Sequence, residues 1–222
     1  MKLMNKIVAG SLATALLGGF ALPAAAEVSA SASLATSYLW RGFDLGSGTP
    51  AASASLDYSD ESGIYAGLWV SSGDAGAGTE YDVYAGYAGE AGDISYDLML
   101  VSYVYPTGAF NETDGSIGDF MEVIVGLGYG PVSFTYYDNV AGDTGGYAAS
   151  EDYTYMTLGY DFEQWSFLLG QHDEGSGDGT HFDISYAYND NLSFTLSFMS
   201  SDAAGAGEGE GTFVAAYSIP IE

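Results

Sequence analysis

Residues 27–38 read Glu27-Val28-Ser29-Ala30-Ser31-Ala32-Ser33-Leu34-Ala35-Thr36-Ser37-Tyr38. On an extended chain Val28, Ala30, Ala32, Leu34, Thr36 and Tyr38 share one face, and Ser29, Ser31, Ser33, Ala35 and Ser37 share the other. Successive side chains of a strand point to opposite sides, so this period-two alternation is a strand signal and not a helical one. The same alternation recurs downstream. Ala52, Ala54, Leu56 and Tyr58 oppose Ser53, Ser55 and Asp57. Tyr81, Val83, Ala85 and Tyr87 oppose Asp82, Tyr84 and Gly86, and Ile94, Tyr96, Leu98 and Leu100 oppose Ser95, Asp97 and Met99. Near the end, Phe182, Ile184, Tyr186 and Tyr188 oppose Asp183, Ser185 and Ala187. One face is apolar and aromatic, and the other is small and polar.

This pattern predicts strands at 27–39, 51–59, 64–72, 80–88, 93–105, 118–129, 131–138, 152–162, 164–172, 181–189, 192–200 and 211–221. The connections alternate between long (40–50, 73–79, 106–117, 139–151, 173–180, 201–210) and short (60–63, 89–92, 130–131, 163, 190–191). All long loops therefore lie at one end, with both termini at the other. That is the layout of an antiparallel transmembrane up-and-down β-barrel of about twelve strands, with an apolar outer face and a polar lumen. The alternative, a soluble sandwich or lipocalin-like barrel with the aromatic face inward, needs solvent-facing positions rich in Lys, Glu and Arg. The polar face here is instead Ser, Gly, Thr and isolated Asp. Tyr38, Tyr58, Tyr87, Tyr129, Tyr188 and Trp165 fall near strand ends on the apolar face, where aromatic girdles sit.

Ahead of the strands, Lys2 and Lys6 precede an apolar run from Ile7 to Leu22, which ends in Pro23-Ala24-Ala25-Ala26. Gly10, Gly18, Gly19 and Pro23 interrupt the run, and small residues close it. Residues 1–26 are thus expected to be a cleavable secretory signal peptide, leaving 27–222 as the barrel domain. The chain has 30 Asp and Glu against three Lys and Arg. With Lys2 and Lys6 in the signal, Arg41 is the only Lys or Arg left. So acidic a chain repels nucleic acid, which is excluded as a partner. The absence of cysteine excludes disulfides and Cys-based metal or redox chemistry.

Residues 36–43, Thr-Ser-Tyr-Leu-Trp-Arg-Gly-Phe, followed by Pro50-Ala51, resemble the Tyr-x-aromatic-Arg-Gly and Pro-Ala signature of the TorF family of porins. The similarity continues through 62–72, 80–87, 103–108 and 120–123, and is looser in the second half. The resemblance implies a Gram-negative outer-membrane barrel, and speaks more firmly to location and fold than to a transported solute.

The lumen face is expected to carry Asp57, Asp82, Asp97, Glu122, Asp161 and Asp183 as pore-lining residues. Ionised carboxylates do not pack in a dry core without partners, so a wet, cation-favouring bore is the direct reading. Arg41, entering the first long loop, is expected to clamp that loop against acids such as Asp57 or Asp44, or to form a constriction. The acidic, Gly-rich loops are read as solvated; Gly175-Ser176-Gly177-Asp178-Gly179-Thr180 echoes a calcium-binding repeat in a single copy only. His172 and His181 flank one loop and invite a metal or hydrolase reading, but no third ligand or nucleophile accompanies them. No catalytic residue, metal or cofactor is assigned. The function expected is passive diffusion of small hydrophilic solutes, cations favoured, with lipid as the other partner. The alternatives are a closed structural or adhesive barrel that works through its loops, and a soluble exported binding protein.

Overall fold

The computed structural model describes residues 26–142, 153–173, 179–200 and 211–221. In chain order the strands are β1 (Glu27–Ala35), β2 (Leu39–Trp40), β3 (Phe43–Asp44), β4 (Ala51–Ser59), β5 (Ile64–Asp74), β6 (Gly78–Ala91), β7 (Ile94–Val104), β8 (Phe120–Tyr129), β9 (Val132–Ala141), β10 (Thr154–Phe162), β11 (Trp165–Asp173), β12 (Gly179–Ala187), β13 (Leu192–Met199) and β14 (Gly211–Ile221). Twelve of these form one closed antiparallel barrel, and β2 and β3 pair separately. β1 closes the ring, pairing along its whole length with β4 and, from Ala30 to Ala35, with Ile221 to Ala216 of β14. Closure leaves no free sheet edge in the barrel, as a lipid environment demands.

The apolar stripe faces outward. Val28, Leu34, Leu56, Leu98, Leu127, Leu158 and Phe213 are all exposed, whereas Asp82, Tyr84, Met99, Val101 and Glu122, of opposite parity, are buried. So continuous an apolar exterior far exceeds the patch a water-soluble monomer tolerates. The molecule is a transmembrane barrel, and the soluble sandwich is excluded. Tyr58, Tyr129, Trp165 and Tyr188 are exposed at the short-turn end, forming a girdle, and Tyr81, Phe182, Phe198 and Phe213 are exposed toward the loop end; Tyr87, expected in the girdle, is exposed on the same face but sits well inside β6, opposite Leu98.

Tyr38 corrects the girdle expectation. β1 ends at Ala35, short of 39, so Tyr38 leaves the wall, is buried, and donates a 2.7 Å hydrogen bond to Glu80 Oε2 inside the barrel. The signal-peptide reading falls on residues 1–25 and, apart from Ala26, lies outside the described residues. So do the loop acids Asp143, Glu151, Asp152, Glu174, Asp178, Asp202, Glu208 and Glu210, and most of the 175–180 echo.

Large interior side chains are accommodated by glycines on the adjacent strand. Tyr65 pairs with Gly86 and Gly67 with Tyr84 across β5 and β6. A Cβ on Gly86 would lie 2.3 Å from the Tyr65 ring and 2.7 Å from the Leu98 carbonyl, and one on Gly67 would lie 2.5 Å from the Tyr84 ring. Each ring thus lies flat over a bare backbone. Gly86→Ala should destabilise the folded barrel by about 1–3 kcal/mol through overpacking. A lowered midpoint in a denaturant titration in detergent is the expected reading; an unchanged midpoint would show that Tyr65 moves aside at no cost.

Candidate functional site: a hairpin latched inside the barrel

The leading half of the first long loop turns into the barrel, and only residues 47–50 of it are exposed. β2 and β3 form a minimal hairpin, Leu39 opposite Asp44 and Trp40 opposite Phe43. Its two central residues, Arg41 and Gly42, have φ of 47° and 88°. Positive φ at both positions is the type I′ geometry, which matches the twist of a two-residue hairpin. Gly suits that conformation; Arg pays roughly 1–2 kcal/mol for it. The strained backbone therefore persists because the Arg41 side chain is firmly held. At Gly42 the fit is tighter still: a Cβ there would lie 2.6 Å from His181 and 2.7 Å from Met199.

The hairpin spans the bore. It springs from the β1–β4 wall and reaches β6 through Tyr38, β8 through Arg41, and β11 through Trp40 and Phe43, whose rings lie 6.4 and 5.3 Å from that of His172. β8 to β10 lie across the ring from β1 and β4. Arg41 is 4 % exposed and makes a bidentate pair with Glu122, Nη1 to Oε1 at 2.9 Å and Nη2 to Oε2 at 2.6 Å. Its guanidinium also stacks on Tyr137, Trp40 and Tyr155 at 4.4, 4.6 and 4.7 Å from the ring centroids. Burial is the largest single influence and works to lower its pKa, but the Glu122 carboxylate, with smaller contributions from Tyr153 and Tyr103, raises it well above the usual value, so Arg41 stays charged. The partners Asp57 and Asp44 expected from sequence are not the ones used. Asp44 instead accepts from the Ser37 hydroxyl within the loop, and Asp57 accepts from Tyr84.

A ring of hydrogen bonds ties the hairpin backbone down. Arg41 Nη1 donates to the Tyr153 hydroxyl at 3.1 Å, the Tyr153 hydroxyl lies 2.9 Å from His172 Nδ1, and His172 Nε2 lies 2.9 Å from the Arg41 carbonyl oxygen. A carbonyl only accepts, so Nε2 carries the proton and Nδ1 accepts from Tyr153. Beside this ring, Tyr155 Oη lies 2.7 Å from His181 Nε2, and His181 Nδ1 lies 2.9 Å from Asp183 Oδ1. The ring centroids of the two histidines are 5.9 Å apart. The histidines meet inside the barrel, not beneath a surface loop. Their ring nitrogens are committed to Tyr153, the Arg41 carbonyl, Tyr155 and Asp183, which leaves none to ligate a metal. Among the described residues no three His, Asp or Glu side chains converge on a metal position. The Tyr155–His181–Asp183 order has the form of a nucleophile, base and orienting acid. Tyr155 is nevertheless sealed beneath Arg41, with no room for a substrate at its hydroxyl.

The six candidate lumen acids all occupy inward positions, in two zones. Asp82 and Glu122 are buried in the loop-end half, where the hairpin packs. Asp57, Asp97 and Asp183 are partly exposed, and Asp161 is exposed at the turn-end mouth, accepting from Ser166 at 2.6 Å. Tyrosine replaces lysine as their donor: Tyr84 to Asp57, Tyr65 to Asp97 at 2.7 Å, and Tyr103 to Glu122 at 2.7 Å. Glu80, inward by the same parity as Asp82 but missing from the sequence reading, accepts from Tyr38 at 2.7 Å and Tyr105 at 3.1 Å. Burial, and then the Glu80 charge, push both of these loop phenols well up, so they remain protonated donors. The opposite wall is small: Ser31 meets Ser55 at 2.9 Å, and Ser185 meets Thr195 at 2.9 Å. The barrel interior thus has a turn-end vestibule lined by partly exposed polar groups and a packed, latched plug at the loop end.

A family model described as "Bacterial protein of unknown function (Gcw_chp)" matches residues 22–203. The chain belongs to the Gcw_chp family. That match contains the hairpin, the latch and eleven of the twelve barrel strands of this Gcw_chp chain. No curated protein matches it. Among solved structures it is similar to the KdgM porin, at 9 % identity and a TM-score of 0.48, with 88 % of this chain and 99 % of that one covered. It is also similar to outer membrane phospholipase A from Escherichia coli, at 10 % identity and a TM-score of 0.45, covering 86 % and 89 %. A third is OccAB4 from Acinetobacter baumannii, at 8 % identity and 0.41, covering 78 % and 54 %.

Proposed function

We propose that this Gcw_chp barrel is a porin-like channel of a Gram-negative outer membrane, passing small hydrophilic solutes passively and favouring cations. The observation that carries the reading is the turn-end vestibule. Asp57, Asp97, Asp161 and Asp183 face it, three of them partly exposed and one exposed, and Arg41, the only Lys or Arg after Lys6, is spent on Glu122. Acidic groups lining a wet bore attract cations and repel anions. The resemblance of residues 36–51 to the TorF family of porins supports the same reading, and residues 27–222 would be the exported part.

A second reading has its own support. The hairpin fills the loop-end half, which favours a closed barrel that works through its loops. Reversal potentials across planar bilayers under a potassium chloride gradient separate the two. Channel activity with a cation-selective potential supports the porin; an anion-selective potential at low salt would refute the cation preference. Silence in both the wild type and a barrel with residues 39–44 replaced by Gly and Ser would favour the closed barrel.

A further inference from the structure

Glu80 and Asp82 are two residues apart on β6, so their side chains leave the same inward face next to each other. Both are buried, Asp82 to 1 % exposure. Glu80 is served by Tyr38 and Tyr105. Asp82 has no donor from outside the pair: among the described residues no N–H or hydroxyl reaches either of its carboxylate oxygens, and its hydrogen-bonding contact is with the Glu80 carboxyl itself. The charged groups acting on it are Glu80 and Glu122, both negative.

Elsewhere in a protein a lysine or arginine would balance such a pair. This chain has three, of which Lys2 and Lys6 precede the barrel and Arg41 is bound in bidentate fashion to Glu122. Two adjacent carboxylates therefore sit in the packed half of the barrel with no cationic side chain to neutralise them. Buried ionised carboxylates without a counter-charge are strongly unfavourable. The compensating charge must come from outside the chain.

The geometry points to a hard-cation site at Glu80 and Asp82, with calcium as the ion that fits it best. Two carboxylates give an all-oxygen set of the right charge. The Tyr38 and Tyr105 hydroxyls, donating their protons to Glu80, keep lone pairs for the ion, and retained water completes the shell. The donor set carries no nitrogen or sulfur, which disfavours zinc and copper. The ion would sit at the root of the hairpin, because Tyr38 belongs to the segment that leads into it. Occupancy would thus fasten the plug at β6, as Arg41 fastens it at β8.

Terbium is the probe, since it replaces calcium and luminesces when a tyrosine within a few ångström is excited. The wild-type full chain, folded in detergent at neutral pH, should give a saturable terbium signal that calcium competes away and potassium does not. That component should be lost in Asp82→Asn and in Glu80→Gln, while Glu61→Gln, in an exposed turn, retains it. If Asp82→Asn fails to fold, as judged by heat-modifiable gel mobility, Glu80→Gln supplies the same comparison. Undiminished binding in the folded variants would overturn the site. So would a wild type without a calcium-competed component, which would mean that the pair is neutralised by protons. The site stands on burial and charge, not on conduction, so a barrel that binds terbium and passes no current would leave it intact.

Discussion

Arg41→Gln is expected to lower the stability of the folded barrel by roughly 3–5 kcal/mol and to raise its single-channel conductance. Glutamine at 41 would leave the Glu122 carboxylate buried with one phenol donor, Tyr103, and no counter-charge. It would also lose the stacking on Trp40, Tyr137 and Tyr155 and the bond to Tyr153, while the positive φ at residue 41 stays. The hairpin would lose its ties to β8 and to the Tyr153 and Tyr155 rings, keeping the His172 bond to the residue-41 carbonyl, the ring packing on His172 and the Tyr38–Glu80 bond, and the loop-end half would loosen. The energy belongs to breaking the pair and not to the pair itself, because desolvation of both ions offsets most of their attraction. Arg41→Gln with Glu122→Gln should therefore recover much of the stability without closing the channel. Denaturant midpoints and bilayer recordings of the three variants check this. Unchanged stability and conductance in Arg41→Gln would reduce the latch to an incidental contact.

The second large effect concerns the outer wall. Leu98 lies mid-strand on β7, 53 % exposed, between Tyr87 of β6 and Val125 of β8 on the same outward face. Arginine there should cost about 2–4 kcal/mol of insertion into a bilayer, the penalty for a cation near the midplane. Ser133→Arg, inward and partly exposed at the turn-end mouth, should insert normally, since its guanidinium reaches water and the vestibule acids. The folded fraction in liposomes, read by heat-modifiable mobility, should fall for the first and hold for the second. The opposite ranking would mean that the wall faces the other way.

The barrel was legible from sequence because its signal is periodic. In a sheet with one face in lipid, every second residue reports its environment, and loop lengths report which end is which. Strand ends followed to within a few residues, except at 36–40. There the alternation continues into Tyr38 although the strand stops at Ala35, and periodicity cannot show a chain leaving the wall for the bore. A local signal was present: Trp40-Arg41-Gly42-Phe43 places a Gly-containing pair between two aromatics, as a two-residue hairpin requires. The plug itself was not legible. It depends on Arg41 meeting Glu122, and on Tyr153 and His172 closing a ring around the Arg41 carbonyl. These contacts link residues 81 to 131 positions apart, and no local pattern encodes such a pairing. Of the interior tyrosines, the alternation places only Tyr84 on the inward face. Their role as donors to carboxylates emerges only from register, which puts Tyr65 over Gly86 beside Asp97.

The orientation of the wall can be measured directly, because a chain without cysteine accepts single nitroxide labels at chosen sites. Labels at 95, 97, 98 and 100 on β7, in the barrel reconstituted in liposomes, should alternate in collision with oxygen, which partitions into lipid, and with a water-soluble nickel complex. Oxygen should dominate at 98 and 100, and nickel at 95 and 97. Nickel dominance at 98 and 100, or no alternation along the strand, would contradict the outward apolar face on which the bore, the latch and the channel all depend.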